Sequence, residues 1–152
     1  MELDLYVAQH QGLVQVHEAL VAALRAVVAA PTAAQALAAG NFLLGHHHAE
    51  SAVLFPGLRR HGRLRSDDVA FLDARDREHV QLHELAERLL GEAGAPHPRA
   101  SELAILAGAV LDGFVPHVVE EEAGLAPERL RRLIDPAGLA QIGSELEALR
   151  GR

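Results

Sequence analysis

The 152-residue chain contains no cysteine, no tryptophan, one tyrosine and four phenylalanines. Without thiols there can be no disulfide, iron–sulfur cluster, thiolate zinc site or thiol nucleophile, so any metal must be held by imidazole and carboxylate. Aromatic residues make up 3% of the sequence and strand-forming residues are concentrated nowhere, which argues against a β-sandwich. Positive charge is also in short supply. Lys and Arg number 14 against 21 Asp and Glu, and the arginines are dispersed between carboxylates, leaving no basic face to neutralise phosphates. The stretch MELDLYVAQH carries acids where an export signal needs a basic segment, and no run reaches the roughly 18 apolar residues of a membrane span. The expectation is a soluble, cytoplasmic protein with no nucleic-acid or membrane partner, its oligomeric state left open.

What is plentiful is Ala and Leu, within a composition that is 49% hydrophobic, and these residues recur at helical spacing. Leu3, Tyr6, His10, Leu13, His17, Leu20, Leu24 and Val27 step by three and four along one seam, which Pro31 ends. A second helix is expected from Ala33 to His61, with Leu43, His46, Glu50 and Val53 on one face and Pro56 kinking or closing its last turns. Ser66, Asp67 and Asp68 open a third, whose seam reads Val69, Leu72, Asp76, His79, His83, Ala86 and Leu90. A fourth starts near Ser101 and carries Leu103, Leu106, Val110, Phe114, His117 and Glu121, ending around Gly124 and Pro127. Short segments follow, the last started by Asp135 and Pro136. Short turns between long helices force antiparallel neighbours. The predicted fold is all-α: an antiparallel up-down-up-down four-helix bundle over residues 1–127, with a short C-terminal helical extension, 128–152, packed on the same domain.

Three of these helices carry a pair of potential ligands four residues apart, His46 with Glu50, His79 with His83 and His117 with Glu121, each on the apolar face. That spacing sets two side chains nearly above one another, within reach of one metal ion. His17 adds a seventh group from the first helix. Left unpaired in a core, each such group forfeits on the order of 1–3 kcal/mol, so coordination is the economical explanation. Imidazole and carboxylate without sulfur suit iron, manganese or zinc; bridging carboxylates suit a dinuclear centre; and seven ligands are too many for one tetrahedral zinc. His47 and His48 are offset by about 100° and 200° from His46 and are expected to face solvent or a neighbouring helix, with His47 near enough to support a ligand. His10, on the first seam, and Asp76, one turn before His79, are candidates for orienting ligand imidazoles from behind. Glu87, His61 and His97 are expected at the surface.

One element per helix in the order His17, His46-x-x-x-Glu50, His79-x-x-x-His83, His117-x-x-x-Glu121 resembles the hemerythrin and hemerythrin-like (HHE cation-binding) family. The resemblance spans about residues 10 to 127. It implies a non-haem di-iron site of five histidines and two bridging carboxylates, which would fall on His17, His46, His79, His83, His117, Glu50 and Glu121, with manganese or zinc as lesser alternatives to iron. AESAVLFPGL also looks like the family's acidic stretch ending in an aromatic-Pro pair. His46 precedes Pro56 by the same interval as His117 precedes Pro127, and this echo matches Glu121 to Glu50. Oxygen-carrying hemerythrins place the last carboxylate one residue later, so Glu122 is the alternative; it would need a local bulge, which Pro116 could permit. Many relatives have an acid where Ser51 stands.

The resemblance implies a centre that binds and reacts with peroxide, nitric oxide or dioxygen at an open iron position. The alternative is a protein that binds dioxygen reversibly, or senses or buffers iron, without turnover; a third reading is a metal-free bundle that serves as an interaction module. Sparse aromatics and many Ala and Gly suggest a pocket less sealed than a carrier needs, with His10, Tyr6 or Asp76 as proton sources.

Overall fold

A computed structural model describes residues 4–151, and every regular element among them is helical. Leu3, the first residue of the expected first seam, lies outside the described residues. The helices are α1 (Leu5–Ala29), α2 (Ala33–Ala49), α3 (Phe55–His61), α4 (Ser66–Ala93), α5 (Ala100–Gly124), α6 (Pro127–Leu133) and α7 (Pro136–Arg150), with a π turn, Glu50–Leu54, joining α2 to α3. Their starts follow local chemistry. The Asp4 carboxylate accepts from the Tyr6 and Val7 amides, Thr32 Oγ1 from Gln35, and the Asp135 carboxylate from Gly138, satisfying amides that have no partner inside the helix.

α1 packs on α2 and α5, and α4 packs on the same two helices, so the long helices form a ring in the order α1, α2, α4, α5. Two apolar cores fill it. One gathers Leu20, Leu24, Leu43, Leu82, Leu89, Leu103 and Phe114; the other gathers Leu13, Leu54, Phe55, Leu58 and Leu72 with Leu130, Ile134 and Ile142 of the C-terminal segments. α1 and α4 contribute to both, whereas α2 and α5 contribute to the first and the residues just beyond their ends, Leu54 and Leu125, to the second. The residues between these contributions form a polar layer held between two dry ones. The Tyr6 hydroxyl donates to the Ile134 carbonyl at 2.8 Å, tying the C-terminal segments to α1.

Two expectations are corrected here. The buried stripe of α4 is Asp68, Leu72, Arg75, His79, Leu82, Ala86 and Leu89, rotated from the expected seam so that Asp76, His83 and Leu90 fall to its side. Arg75 is what disguises it: the guanidinium lies 4.9 Å from the Phe71 ring centroid and 2.9 Å from the Glu78 carboxylate, so a charged residue sits inside the stripe. Second, α1 and α5 are each long and apolar enough to cross a membrane by length and composition, although neither contains an unbroken apolar run of that length.

The bulge also lies elsewhere than at Pro116, which sits inside a continuous α5. It is the π turn, where the Phe55 amide donates to the Glu50 carbonyl five residues back. Pro56 has no amide to offer the Ala52 carbonyl and its ring would press on that carbonyl in a regular turn, so widening the turn relieves both.

Candidate metal centre

The polar layer is built from the stripe positions flanked by the two cores. On α1, His17 lies between Leu13 and Leu20 and is 1% exposed; on α5, His117 and Glu121 follow Phe114, and Glu121 is 0% exposed. α4 supplies His79, and the end of α2 supplies His46, His47 and Glu50. Their ligand-type atoms form two sets, each within 4.8 Å of one another: His17, His46, Glu50 and Glu121 in one, and His47, Glu50, His79 and His117 in the other. Glu50 belongs to both, its Oε1 lying 3.4 Å from His46 Nε2 and 3.2 Å from His79 Nε2. Glu121 also reaches both ways, with Oε1 at 3.3 Å from His17 Nε2 and Oε2 at 2.9 Å from His117 Nε2.

Three of the imidazoles are held from behind. His17 Nδ1–H donates to Glu122 Oε2 at 2.8 Å and His117 Nδ1–H to Glu78 Oε1 at 2.7 Å. His79 Nδ1–H donates to Ser51 Oγ at 2.9 Å, and the Ser51 hydroxyl donates in turn to Asp76 Oδ1 at 3.1 Å. Arg59 completes this chain, donating to Asp76 Oδ2 at 3.2 Å. The network assigns the proton to Nδ1 in each ring, which leaves the Nε2 lone pair facing the layer's centre. This is how metal-ligating histidines are oriented and made more basic.

The central atoms have no such partners. Nε2 of His17, His46, His79 and His117, both ring nitrogens of His47 and all four carboxylate oxygens of Glu50 and Glu121 are buried without a hydrogen bond. Imidazole nitrogens and carboxylate oxygens converge on a dry layer that offers them no other partner, and a cation satisfies that arrangement. Electrostatics agree. Burial pushes His46 down to about 4, and burial together with His79 pushes His47 lower still. Burial and the neighbouring Glu121 raise the Glu50 carboxyl well above its usual range. Burial also opposes charge on Glu121, but its neighbours Glu50, His117, His17 and His79 outweigh it and hold its carboxyl well below that range. His17 is raised: burial works against its charge, and Glu121 and Glu122 prevail.

The structure brings together six of the seven groups singled out in the sequence and not the seventh. His83 is 59% exposed and lies 3.3 Å from the Glu87 carboxylate, because the rotated stripe of α4 turns inward at Leu82 instead. The position is taken by His47, which is 5% exposed and stacked on His79 at 3.9 Å between ring centroids. A signal for it existed. Leu43, His47, Glu50 and Leu54 are spaced as regularly as Leu43, His46, Glu50 and Val53, and it is the first set that is buried. Of the carboxylates at the end of α5, Glu121 is central and Glu122, 27% exposed, holds His17 from outside. Asp76 acts on His79 through Ser51, a residue the sequence marked only as a missing acid. His10 Nδ1 is buried without a partner and belongs to neither set, while Tyr6 is committed to Ile134. His48, His61 and His97 are exposed, as expected.

Aromatics are few but placed here. Phe55 stacks on His79 at 5.5 Å, and Phe114 meets His17 edge-on at 5.7 Å. A cavity of about 510 Å³ between α1, α2 and α7, lined by Gly12, Val16, Phe42 and Arg150 among others, reaches His46 and Glu50.

The profile of the family described as the hemerythrin HHE cation binding domain matches residues 1–128. No curated protein and no solved structure matches the chain.

Proposed function

Because the chain belongs to the hemerythrin HHE cation-binding family, we propose that it is a non-haem di-iron protein that binds a small oxidant, peroxide, nitric oxide or dioxygen, at an open iron position and reacts with it. The observation that carries this is the pair of donor sets sharing Glu50 and spanned by Glu121, with every inward atom lacking a hydrogen bond. In this reading His47, His79 and His117 would hold one ion and His17 and His46 the other, with Glu50 and Glu121 available to both. Five imidazoles divide three and two. The group with two would leave room for a further ligand, and His46 and Glu50 of that group meet the cavity. Iron bound there would supply the vacant position and the electrons for reduction. The protein's share is to fix the lone pairs through Glu122, Ser51 and Glu78, to keep water off His79 and His17 with Phe55 and Phe114, and to leave one face open.

The finer topology is part of this proposal: the long helices run up-down-up-down. Support comes from the order in which each crosses the layers. α1 passes Leu13 of the second core, then His17, then Leu20 of the first; α2 passes Leu43 and runs into the π turn with Glu50 and Leu54; α4 passes Leu72 before His79 and Leu82; α5 passes Phe114 and Glu121 and ends just before Leu125. The order reverses at each step.

Reversible dioxygen binding without turnover is the second reading, favoured by the two phenylalanines against the ligand imidazoles. Anaerobic loading with ferrous iron and elemental analysis tests the centre; about two ions per chain are expected, and one zinc or no metal overturns it. Mixing the reduced protein with air, peroxide or nitric oxide separates the readings. Consumption of oxidant supports reaction, and a long-lived oxygenated band that reverses under vacuum, with no peroxide consumed, establishes carriage instead.

A further inference from the structure

The cavity at His46 is one approach to the buried layer, and a second lies on the opposite side of α2. There a groove of about 760 Å³ between α2 and α4 is lined by His47, His48, Asp76, His79, His83 and Glu84. His47 and His79 are buried and form its floor; His48, His83 and Glu84 are exposed and form its rim. Both ring nitrogens of His47 are without a partner, at the point where the groove meets the second donor set. The two approaches differ in charge. The groove's lining contains imidazoles and carboxylates and no Lys or Arg, and Glu87 beside His83 adds a further carboxylate. Asp76 is already engaged by Ser51 and Arg59. The α1–α2 cavity has Arg150 as its one exposed charge.

A divalent cation bound for the layer must lose its water where other ligands replace it, and a cleft of negative potential raises its local concentration and its rate of capture. The α2–α4 groove carries exposed imidazoles and a carboxylate at its rim, and the α1–α2 cavity has no exposed imidazole or carboxylate in its lining. We propose that the α2–α4 groove is the uptake route for the metal ion, with His48, His83 and Glu84 as a transient binding station that passes the ion to His47 and His79. This rests on the reading of the layer as a metal centre. It also assigns a use to the two histidines of the GHHHAES and His79-x-x-x-His83 motifs that the layer leaves outside.

The test is the rate of metal uptake. Metal-free full-length protein is mixed anaerobically with cobalt(II), and the visible absorption of the bound ion is followed by stopped flow. The double variant H48A/H83A should load about tenfold more slowly or worse, reach the wild-type metal content, and release metal to a chelator more slowly by the same factor. Glu84→Lys should slow uptake and weaken its dependence on salt, and Arg150→Glu should leave the rate unchanged. Wild-type uptake rates in H48A/H83A overturn the proposal. So does a lower final content, which would make these residues ligands, or faster uptake in Arg150→Glu, which would move the route to the other mouth. If wild-type protein itself binds no metal, the centre falls with the route, and the variants then fail alongside it rather than apart from it.

Discussion

His46 and His47 are neighbours in the chain, their ring centroids 5.5 Å apart, yet they join different donor sets, His46 with His17 and His47 with His79 and His117. Consecutive residues on a helix point about 100° apart, and α2 lies with the boundary of its buried stripe between them, so one helix end serves both halves of the layer.

The metal content of single variants follows from this. His47→Ala should bind about half the iron of the wild type, and Glu121→Gln, which touches both sets, should lose both ions. His83→Ala should reach full content at equilibrium. Plasma emission analysis after anaerobic loading reads all three; full content in His47→Ala together with a deficit in His83→Ala would restore the ligand set expected from the sequence.

Ser51→Ala should weaken metal binding by about 10- to 100-fold without removing a ligand, because His79 loses the acceptor that fixes its tautomer. Competition with a chelator measures the affinity. Glu122→Gln should act in the same range through His17. An affinity unchanged in both variants would mean that the outer bonds do not orient the imidazoles.

In the first turn of α4, Asp68 accepts two bonds from Arg132 at 2.6 and 3.0 Å and one from the Arg65 amide. Arg132 holds the carboxyl below its usual range, with Arg65 adding to the effect against the pull of burial. A carboxylate depressed in the folded state stabilises above its unfolded pKa, near 4, and loses that contribution as pH falls through the folded value. Asp68→Asn should therefore cost about 1.5–3 kcal/mol at neutral pH, with the difference from wild type shrinking below about pH 4. Urea unfolding of the metal-free proteins at both pH values checks it, and a difference that grows on acidification contradicts the sign.

Gly57 is where α3 meets α7: a Cβ there would stand 2.5 Å from Ile142 Cγ1, and Ile142 is fully buried. Gly57→Ala should lower stability by about 1–3 kcal/mol through overpacking, and adding Ile142→Ala should recover part of the loss. Thermal melts of the single and double variants decide, since simple addition of the two costs would rule out the contact as the cause.

Much of the site was legible because α1 and α5 are regular. Leu13, His17, Leu20, Leu24 and Val27 are buried as their spacing predicts, as are Leu103, Val110, Phe114, His117 and Glu121. Illegibility began where a side chain behaves against its type. Arg75 occupies an interior position by laying its stem and guanidinium on Phe71 and pairing with Glu78, so the eye passes to the neighbouring stripe and takes His83 with it. On α2 two stripes are equally regular in spacing, and choosing between them needs the neighbour: His47 is inside because it has the His79 ring to stack on. The outer partners Glu122, Glu78 and Ser51 come from residues on other helices than the rings they hold, pairings that helical period alone does not encode.

The π turn at Glu50–Leu54 has a consequence for how such chains differ from one another. In a regular helix a residue five positions after Glu50 would be turned about 140° away from it, and the fourth would lie nearly above it. The wide turn lets Phe55, the fifth, occupy the place a fourth would take, and so cover His79. One residue is absorbed without displacing what precedes or follows. A sequence with a single deletion between Glu50 and Phe55, at the exposed Ala52 for instance, would keep Glu50 and its aromatic cover in the same relation on an ordinary α-helix only if the proline that follows were replaced as well, since a regular turn has no room for Pro56. Length and proline are thus coupled at this point: a chain one residue shorter here should lack the proline, and a chain that keeps the proline should keep the extra residue.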